Sequence, residues 1–232
     1  MNKAFRFGLI SAAVAMILFV GSVSEAKAQG ILREILNRMD AHNRSLASLK
    51  ADVTMVKMNA QLGENDTTVG STSYLPKTAK RQMYVRIDWT KPVQEQIVII
   101  GDTYKLYRPR LNQVITGKVD KAKNSGAAGG ALAFMSMSQA QLKANYKVNY
   151  LGEESVSGGA KTWHLELVPI NKTSYKSAEL WVDGNGMPVQ AKVIEQNNDA
   201  TTVLLSNLQK NITISANDFN LSLPKGVKQI QA

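Results

Sequence analysis

The sequence predicts a mainly β fold of the α+β class, an antiparallel meander of about a dozen strands accompanied by a little helix. Three observations carry that prediction. From Ala51 onward apolar and polar residues alternate with a period of two, in runs rich in Val, Ile, Thr and Tyr. The links between runs are short, as at Gly101-Asp102 and Pro109-Arg110-Leu111-Asn112, which suits hairpins and leaves no room for the crossovers that parallel strands require. Helical spacing is confined to two places, one before the first strand and one in the middle of the chain.

The first helix follows from Ile31, Leu32, Ile35, Leu36 and Met39, spaced i, i+1, i+4, i+5, i+8, with Arg33, Glu34, Arg38 and Asp40 on the opposite face. Its apolar stripe is compatible either with sealing a core or with covering a cavity. The expected strands are then Ala51 to Ala60, Thr68 to Leu75, Gln82 to Trp89, Gln96 to Ile100, Thr103 to Tyr107 and Gln113 to Lys118. After a break come Lys147 to Leu151, Lys161 to Val168, Ala178 to Val182, Pro188 to Gln196, Thr201 to Lys210 and a short last strand around Phe219 to Leu223. Turn residues such as Asp183-Gly184-Asn185-Gly186 separate them. The break, residues 119 to 145, joins the tract Ser125-Gly126-Ala127-Ala128-Gly129-Gly130 to the apolar Ala131-Leu132-Ala133-Phe134-Met135-Ser136-Met137 and a helical stretch from Ser138 to Asn145. A glycine hinge followed by short apolar helices has the form of a lid, or of a plain linker. Met135 and Met137 suit a surface that accepts varied apolar partners.

The N-terminus adds a processing signal. Lys3 and Arg6 precede an apolar run from Phe7 to Val20, and Ala26-Lys27-Ala28 has the small-x-small form that a signal peptidase cuts. Residues 1–28 are therefore expected to be a cleaved signal peptide and residues 29–232 a single domain. Removing three cations and one carboxylate lowers the formal charge from +10 to +8. With no cysteine in the chain there is neither a disulfide, nor a thiol nucleophile, nor a lipidated N-terminal cysteine. The expected mature protein is exported, soluble and not lipidated.

Little in the sequence points to catalysis. The two histidines, His42 and His164, stand far apart without metal-ligand spacing, and both are expected to be structural. Neither a Gly-x-Ser-x-Gly elbow nor a phosphate loop is present. Glu153 and Glu154 are neighbours on a strand and point to opposite faces, so a solvated strand end accounts for them better than a shared site. No metal and no cofactor is expected. Positive charge is concentrated between Lys77 and Lys123, where eleven cations face four carboxylates. In an exported protein such a stripe suits an acidic partner or anionic headgroups better than nucleic acid, and a solvated basic face remains the plain alternative.

One strand carries more information than the rest. Met83, Val85, Ile87 and Trp89 share a face, with Tyr84, Arg86 and Asp88 on the other, and Arg81 has the parity of the apolar set. An arginine at the rim of an apolar surface is costly unless carbonyls or a partner receive it, which suggests a latch. Here the chain resembles the LolA-type periplasmic outer-membrane lipoprotein carriers. The resemblance runs through Lys80-Arg81, Arg86-Ile87-Asp88-Trp89-Thr90-Lys91-Pro92, Ile97-Val98-Ile99-Ile100-Gly101 and Tyr104-Lys105-Leu106-Tyr107-Arg108-Pro109, then Leu111-Asn112-Gln113-Val114. It continues in Trp181-Val182-Asp183, Gly186-Met187-Pro188 and Phe219-Asn220-Leu221-Ser222-Leu223-Pro224-Lys225-Gly226-Val227. Gln82 stands where the family often has proline.

What the resemblance implies is an unclosed antiparallel β-barrel of about eleven strands, with short lid helices over an apolar cavity that receives lipoprotein acyl chains. Met83, Val85, Ile87, Trp89, Ile97 and Leu106 would line that cavity. The lid would present Ile31, Leu32, Ile35, Leu36, Met39, Leu132, Phe134 and Met135, and Arg81 would latch it. The implied partners are lipoproteins, an inner-membrane ABC transporter complex and an outer-membrane acceptor, served by a non-enzymatic monomer. A periplasmic sensor of lipids or lipoproteins and a carrier of another amphiphile, such as a glycolipid, are the alternatives. The known sensors carry a second domain, and the chain ends soon after Phe219.

Overall fold

The computed structural model describes residues 28–119, 135 and 137–232. The expected signal peptide and the glycine tract fall outside these residues, as do Leu132 and Phe134. Helix α1 spans 28–45 and leads through a short link into the sheet. The strands are β1 (Leu49–Asn59), β2 (Glu64–Leu75), β3 (Tyr84–Lys91), β4 (Glu95–Ile100), β5 (Thr103–Arg108) and β6 (Gln113–Lys118), then, after helix α2 (Gln139–Asn145), β7 (Tyr146–Ser155), β8 (Lys161–Pro169), β9 (Tyr175–Asp183), β10 (Pro188–Glu195), β11 (Ala200–Lys210) and β12 (Lys228–Gln231). They form one sheet in the order β12-β6-β5-β4-β3-β2-β1-β11-β10-β9-β8-β7. Two meanders thus meet where β1 pairs with β11, and β12 and β7 remain as open edges, so the barrel is unclosed.

The expected strands reappear with shifted ends, except at two places. Gln82 and Met83 precede β3 instead of beginning it. Phe219 to Leu223 is not a strand: Ala216–Phe219 forms a 3-10 turn capped by Ser215 and Asp218, and the last strand lies further on at Lys228–Gln231, pairing parallel to β6. The reason is topological. β11 lies in the middle of the sheet, so the chain must cross the convex face to reach the free edge at β6, and a crossing segment cannot pair where β3 to β5 are already paired. Phe219 is its anchor, fully buried and tilted against Tyr84 with ring centroids 5.3 Å apart. The guanidinium of Arg86 donates to the carbonyls of Asp218 at 2.7 Å and Asn220 at 3.3 Å, and pairs with Asp88 at 2.7 Å.

The main core lies on the concave face. Ala51, Val53 and Met55 of β1, Leu165 and Leu167 of β8, Leu180 and Val182 of β9 and Ala191 and Val193 of β10 alternate inward and meet Ile35, Leu36 and Met39 of α1. The helix approaches so closely that a side chain at Gly186 would stand 2.3 Å from the backbone of Arg38. Gly186 also has φ +82°, which a side chain rarely adopts, so both constraints demand glycine in the β9–β10 turn. The α1–β1 link is held by Asn211, in the left-handed region at φ 59°, whose Oδ1 accepts from Ala47 at 2.7 Å and whose Nδ2 donates to Ser45 at 3.3 Å.

Candidate functional site

Antiparallel register places the expected cavity residues in rows. Ile87 stands opposite Ile97, Ile97 opposite Leu106, Leu106 opposite Ile115, and Ile115 opposite Ile230. A second row on the same face runs Tyr74, Val85, Ile99, Tyr104 and Gly117, where the ring of Tyr104 lies over the glycine. Pairing at one level, alternation along each strand and a shared concave side make this an unbroken apolar surface.

Its two ends differ in cover. Ile87 and Trp89 are buried in the cluster that contains α1, and Val85 and Ile97 pack against that cluster while only partly buried. Leu106 and Ile115 are half-buried further along the row. Met83 is half-buried in the loop before β3, and its carbonyl accepts from Gly101 at 2.9 Å. The structure therefore brings five of the six expected residues onto one surface and leaves Met83 at its margin.

The cover is built from the expected lid residues that are described. Ile35, Leu36 and Met39 are fully buried, Ile31 and Leu32 pack at the margin, and Met135 belongs to the same cluster. The segment that follows Met135 is tied to α1 by polar bonds: Asn43 Nδ2 donates to the Met137 carbonyl at 3.1 Å, and the Gln139 backbone N–H donates to Asp40 Oδ1 at 2.8 Å. Ser138 and Gln141 form a reciprocal cap that starts α2, whose Leu142 is fully buried. Under α1, then, the concave face is filled by the protein's own side chains. Two hollows, of about 310 Å³ and about 870 Å³, lie on the opposite, convex face beside the C-terminal segment.

Arg81 sits in the β2–β3 loop, bridged to Thr78 by paired backbone bonds of 2.8 and 3.4 Å. Its Nη2 donates to the Pro76 carbonyl at 3.3 Å, and its buried Nε has no hydrogen-bond partner among the described residues. The guanidinium is thus partly withdrawn from water with donor capacity to spare, the condition a latch requires. Among the described residues Arg81 bonds to neither α1 nor Met135, and the lid residues 132 and 134 lie outside them.

The sequence reading missed a polar network on the convex face. His164 Nδ1 meets Glu154 Oε2 and its Nε2 meets Glu179 Oε2, both at 3.0 Å, while the Trp181 ring stacks on the imidazole at 4.2 Å and its Nε1 donates to Glu154 at 2.9 Å. Glu154 is therefore a fixed partner and not merely a solvated strand end. Its signal was the i, i+2 parity of β7 to β9, legible only once the register was known. Carboxylates on both ring nitrogens leave neither free to act as a base toward a nucleophile. No group of three or more carboxylate, histidine or cysteine side chains suited to a metal occurs among the described residues.

Comparison with known proteins decides the family. The model of the family "Outer membrane lipoprotein carrier protein LolA" matches residues 78–222, well over half of the chain. The chain belongs to the LolA family. An outer-membrane lipoprotein carrier protein of Methylococcus capsulatus is 24% identical over 192 residues, covering 82% of this chain and 85% of that one. One of Actinobacillus succinogenes is 28% identical over 149 residues, 64% of this chain and 65% of its own, so that match spans just under two thirds of the relative's length. Among solved structures, an uncharacterized conserved protein of Thermus thermophilus superposes with a TM-score of 0.55 at 13% identity, covering 87% and 99% of the two chains. MucB superposes with 0.54 at 14% identity, covering 89% of this chain and 66% of MucB. These likenesses support the unclosed sheet of the LolA fold. The family and the first two of these relatives are described as outer-membrane lipoprotein carrier proteins, and no described helix of this chain is long and apolar enough to cross a membrane.

Proposed function

We propose that this LolA-family protein is an exported, non-enzymatic carrier that shelters lipoprotein acyl chains on its concave face. In this reading it receives them from an inner-membrane ABC transporter complex and delivers them to an outer-membrane acceptor. Residues 1–28 direct export and are removed. The observation that carries the reading is the row Ile87, Ile97, Leu106 and Ile115, apolar throughout, buried at Ile87 and only half-buried at the three positions beyond it.

A magnitude sets the mechanism. Burying a methylene is worth about 0.8 kcal/mol, so acyl chains with about 40 methylenes in all would hide on the order of 30 kcal/mol if fully enclosed. Nothing without an energy source would release them. The apolar side chains of α1 offer the necessary opposition. Each of the fully buried Ile35, Leu36 and Met39 gains about 1.5–3 kcal/mol by staying on the sheet, and the half-buried Ile31 and Leu32 add less, so cargo that lifts the helix loses on the order of 10 kcal/mol of its own gain. Shallow, partial burial of the chains reduces the remainder further, and uptake and release approach balance. Arg81 bonded to the lid adds to the closed side of that balance.

The test is direct. Incubated with a triacylated lipoprotein released from detergent, the protein is expected to hold it in a soluble one-to-one complex and to yield it to acceptor membranes. Arg81→Leu is expected to take up cargo and fail to yield it. Absence of a soluble complex sinks the carrier reading; a complex that the Arg81 variant discharges at the normal rate removes only the latch.

A further inference from the structure

Large apolar side chains left exposed among the described residues are not scattered. Leu62, Val93, Leu111 and Ile170 lie in the β1–β2, β3–β4, β5–β6 and β8–β9 connections and Met58 at the end of β1 beside the first of them, while Leu151 lies mid-strand on the edge strand β7. Antiparallel pairing brings those four connections to one rim.

One corner of that rim is also cationic. The β3–β4 turn carries exposed Lys91 beside Val93, and the β5–β6 turn carries exposed Arg110 beside Leu111, the latter 61% exposed. The C-terminal segment adds two more cations there. The Lys228 backbone N–H donates to the Asn112 carbonyl at 2.9 Å and Asn112 Nδ2 donates to the Gly226 carbonyl at 3.3 Å, which fixes Lys225 and Lys228 beside the β5–β6 turn. Residues 91–94, 109–113 and 221–232 contain no Asp or Glu. The nearest carboxylate on these hairpins, Glu95, is already paired with Arg108 at 3.0 Å. Four exposed cations, none of them in an ion pair among the described residues, thus surround two apolar turn apices.

We propose that this corner docks on the anionic surface of a lipid bilayer, with Val93 and Leu111 entering the headgroup zone and Lys91, Arg110, Lys225 and Lys228 meeting lipid phosphates. The combination favours a bilayer over an acidic protein. Convex apolar apices find depth in a soft interface without a matching pocket, whereas a rigid acidic surface would leave them in water. The inference does not depend on cargo, so its test and that of the carrier reading fail separately.

The experiment is sedimentation with vesicles of phosphatidylcholine alone or with one-third phosphatidylglycerol, using protein recovered without detergent and no lipoprotein. Binding to the anionic vesicles only, weakened by about 0.5 M salt, is expected. Each cation near an anionic surface is worth about fivefold in affinity, so the exposed pair Arg110→Glu and Lys228→Glu is expected to lose at least about 25-fold. Leu111→Ser is expected to weaken binding severalfold with circular dichroism unchanged. Lys147→Glu with Lys172→Glu makes the same change in net charge at the other end of the sheet and is expected to retain affinity to within the effect of net charge alone. Equal binding to both vesicle types, no binding to either, or equal losses from the two charge-reversed pairs would overturn the proposal.

Discussion

The two halves of the concave face are built from the same alternating pattern and end up in opposite states. On β8 to β11, Leu165, Leu167, Leu180, Val182 and Val203 are wholly removed from water beneath α1. On β4 to β6, Ile97, Leu106 and Ile115 present an equally apolar surface that stays half-buried. Nothing in strand composition distinguishes them; what differs, among the described residues, is whether a helix lies across. One half therefore holds the stability of the fold, and the other holds apolar surface that is free to be covered by something else. A carrier needs both, since a face plugged throughout accepts nothing and a face bare throughout aggregates.

The sharpest way to break this division is to push the helix off. Gly186→Val places a branched side chain at φ +82° and against the Arg38 backbone, where the Cβ alone would stand 2.3 Å away. Strain and overpacking together are expected to cost about 3 kcal/mol or more, read as a lowered urea midpoint. Binding of a hydrophobic dye should rise as the sealed half comes to resemble the open one. An unchanged midpoint would mean that α1 does not depend on its seat at the β9–β10 turn.

A matched pair of truncations tests the division more gently. Leu36→Ala, at a fully buried position of α1, is expected to destabilise by about 2–4 kcal/mol. Leu106→Ala, at a half-buried position, is expected to cost about 1 kcal/mol or less and to weaken uptake of acylated cargo instead. Equal losses of stability at the two positions would erase the distinction between the halves.

How far this was legible in the sequence follows from the same contrast. Alternation and turn chemistry are local, so the strands, their antiparallel order, the α1 stripe and the Ser138 start of α2 could be read directly, and the resemblance supplied the unclosed barrel. What depended on long-range geometry could not. The segment from Phe219 to Leu223 has strand-like alternation, but it crosses the convex face and finds its partners in Arg86 and Tyr84, far away in sequence. The parallel β12 is only four residues long and pairs with β6 at the sheet's far edge. Glu154 and His164 carry no sequence sign of their contact, because the register that joins them is set by a bulge between Tyr150 and Gly152. That the concave face is filled beneath α1 and less covered beyond it was likewise hidden, since an amphipathic stripe does not say which strands it covers.

The smallest effect concerns acid. His42, on α1, has 8% of its surface exposed, and its Nε2 has no hydrogen-bond partner among the described residues. Burial holds its pKa below the ordinary 6.5, assisted by the positive charge of Lys210 at the end of β11 and opposed by Asp183 at the end of β9. The folded protein thus resists the proton that the unfolded chain accepts, and below about pH 6.5 the unfolded state binds more protons. Stability must then fall as the pH drops through that window and stay level above it, with a slope of at most one proton, about 1.36 kcal/mol per pH unit. Thermal unfolding between about pH 7.5 and 5.5, compared with His42→Gln, isolates this contribution, because the carboxylates common to both proteins cancel. The wild type is expected to lose more stability than the variant over that interval. Parallel curves would show that α1 holds its seat whatever the charge on His42, and that acid does not open the sealed half of the sheet through this residue.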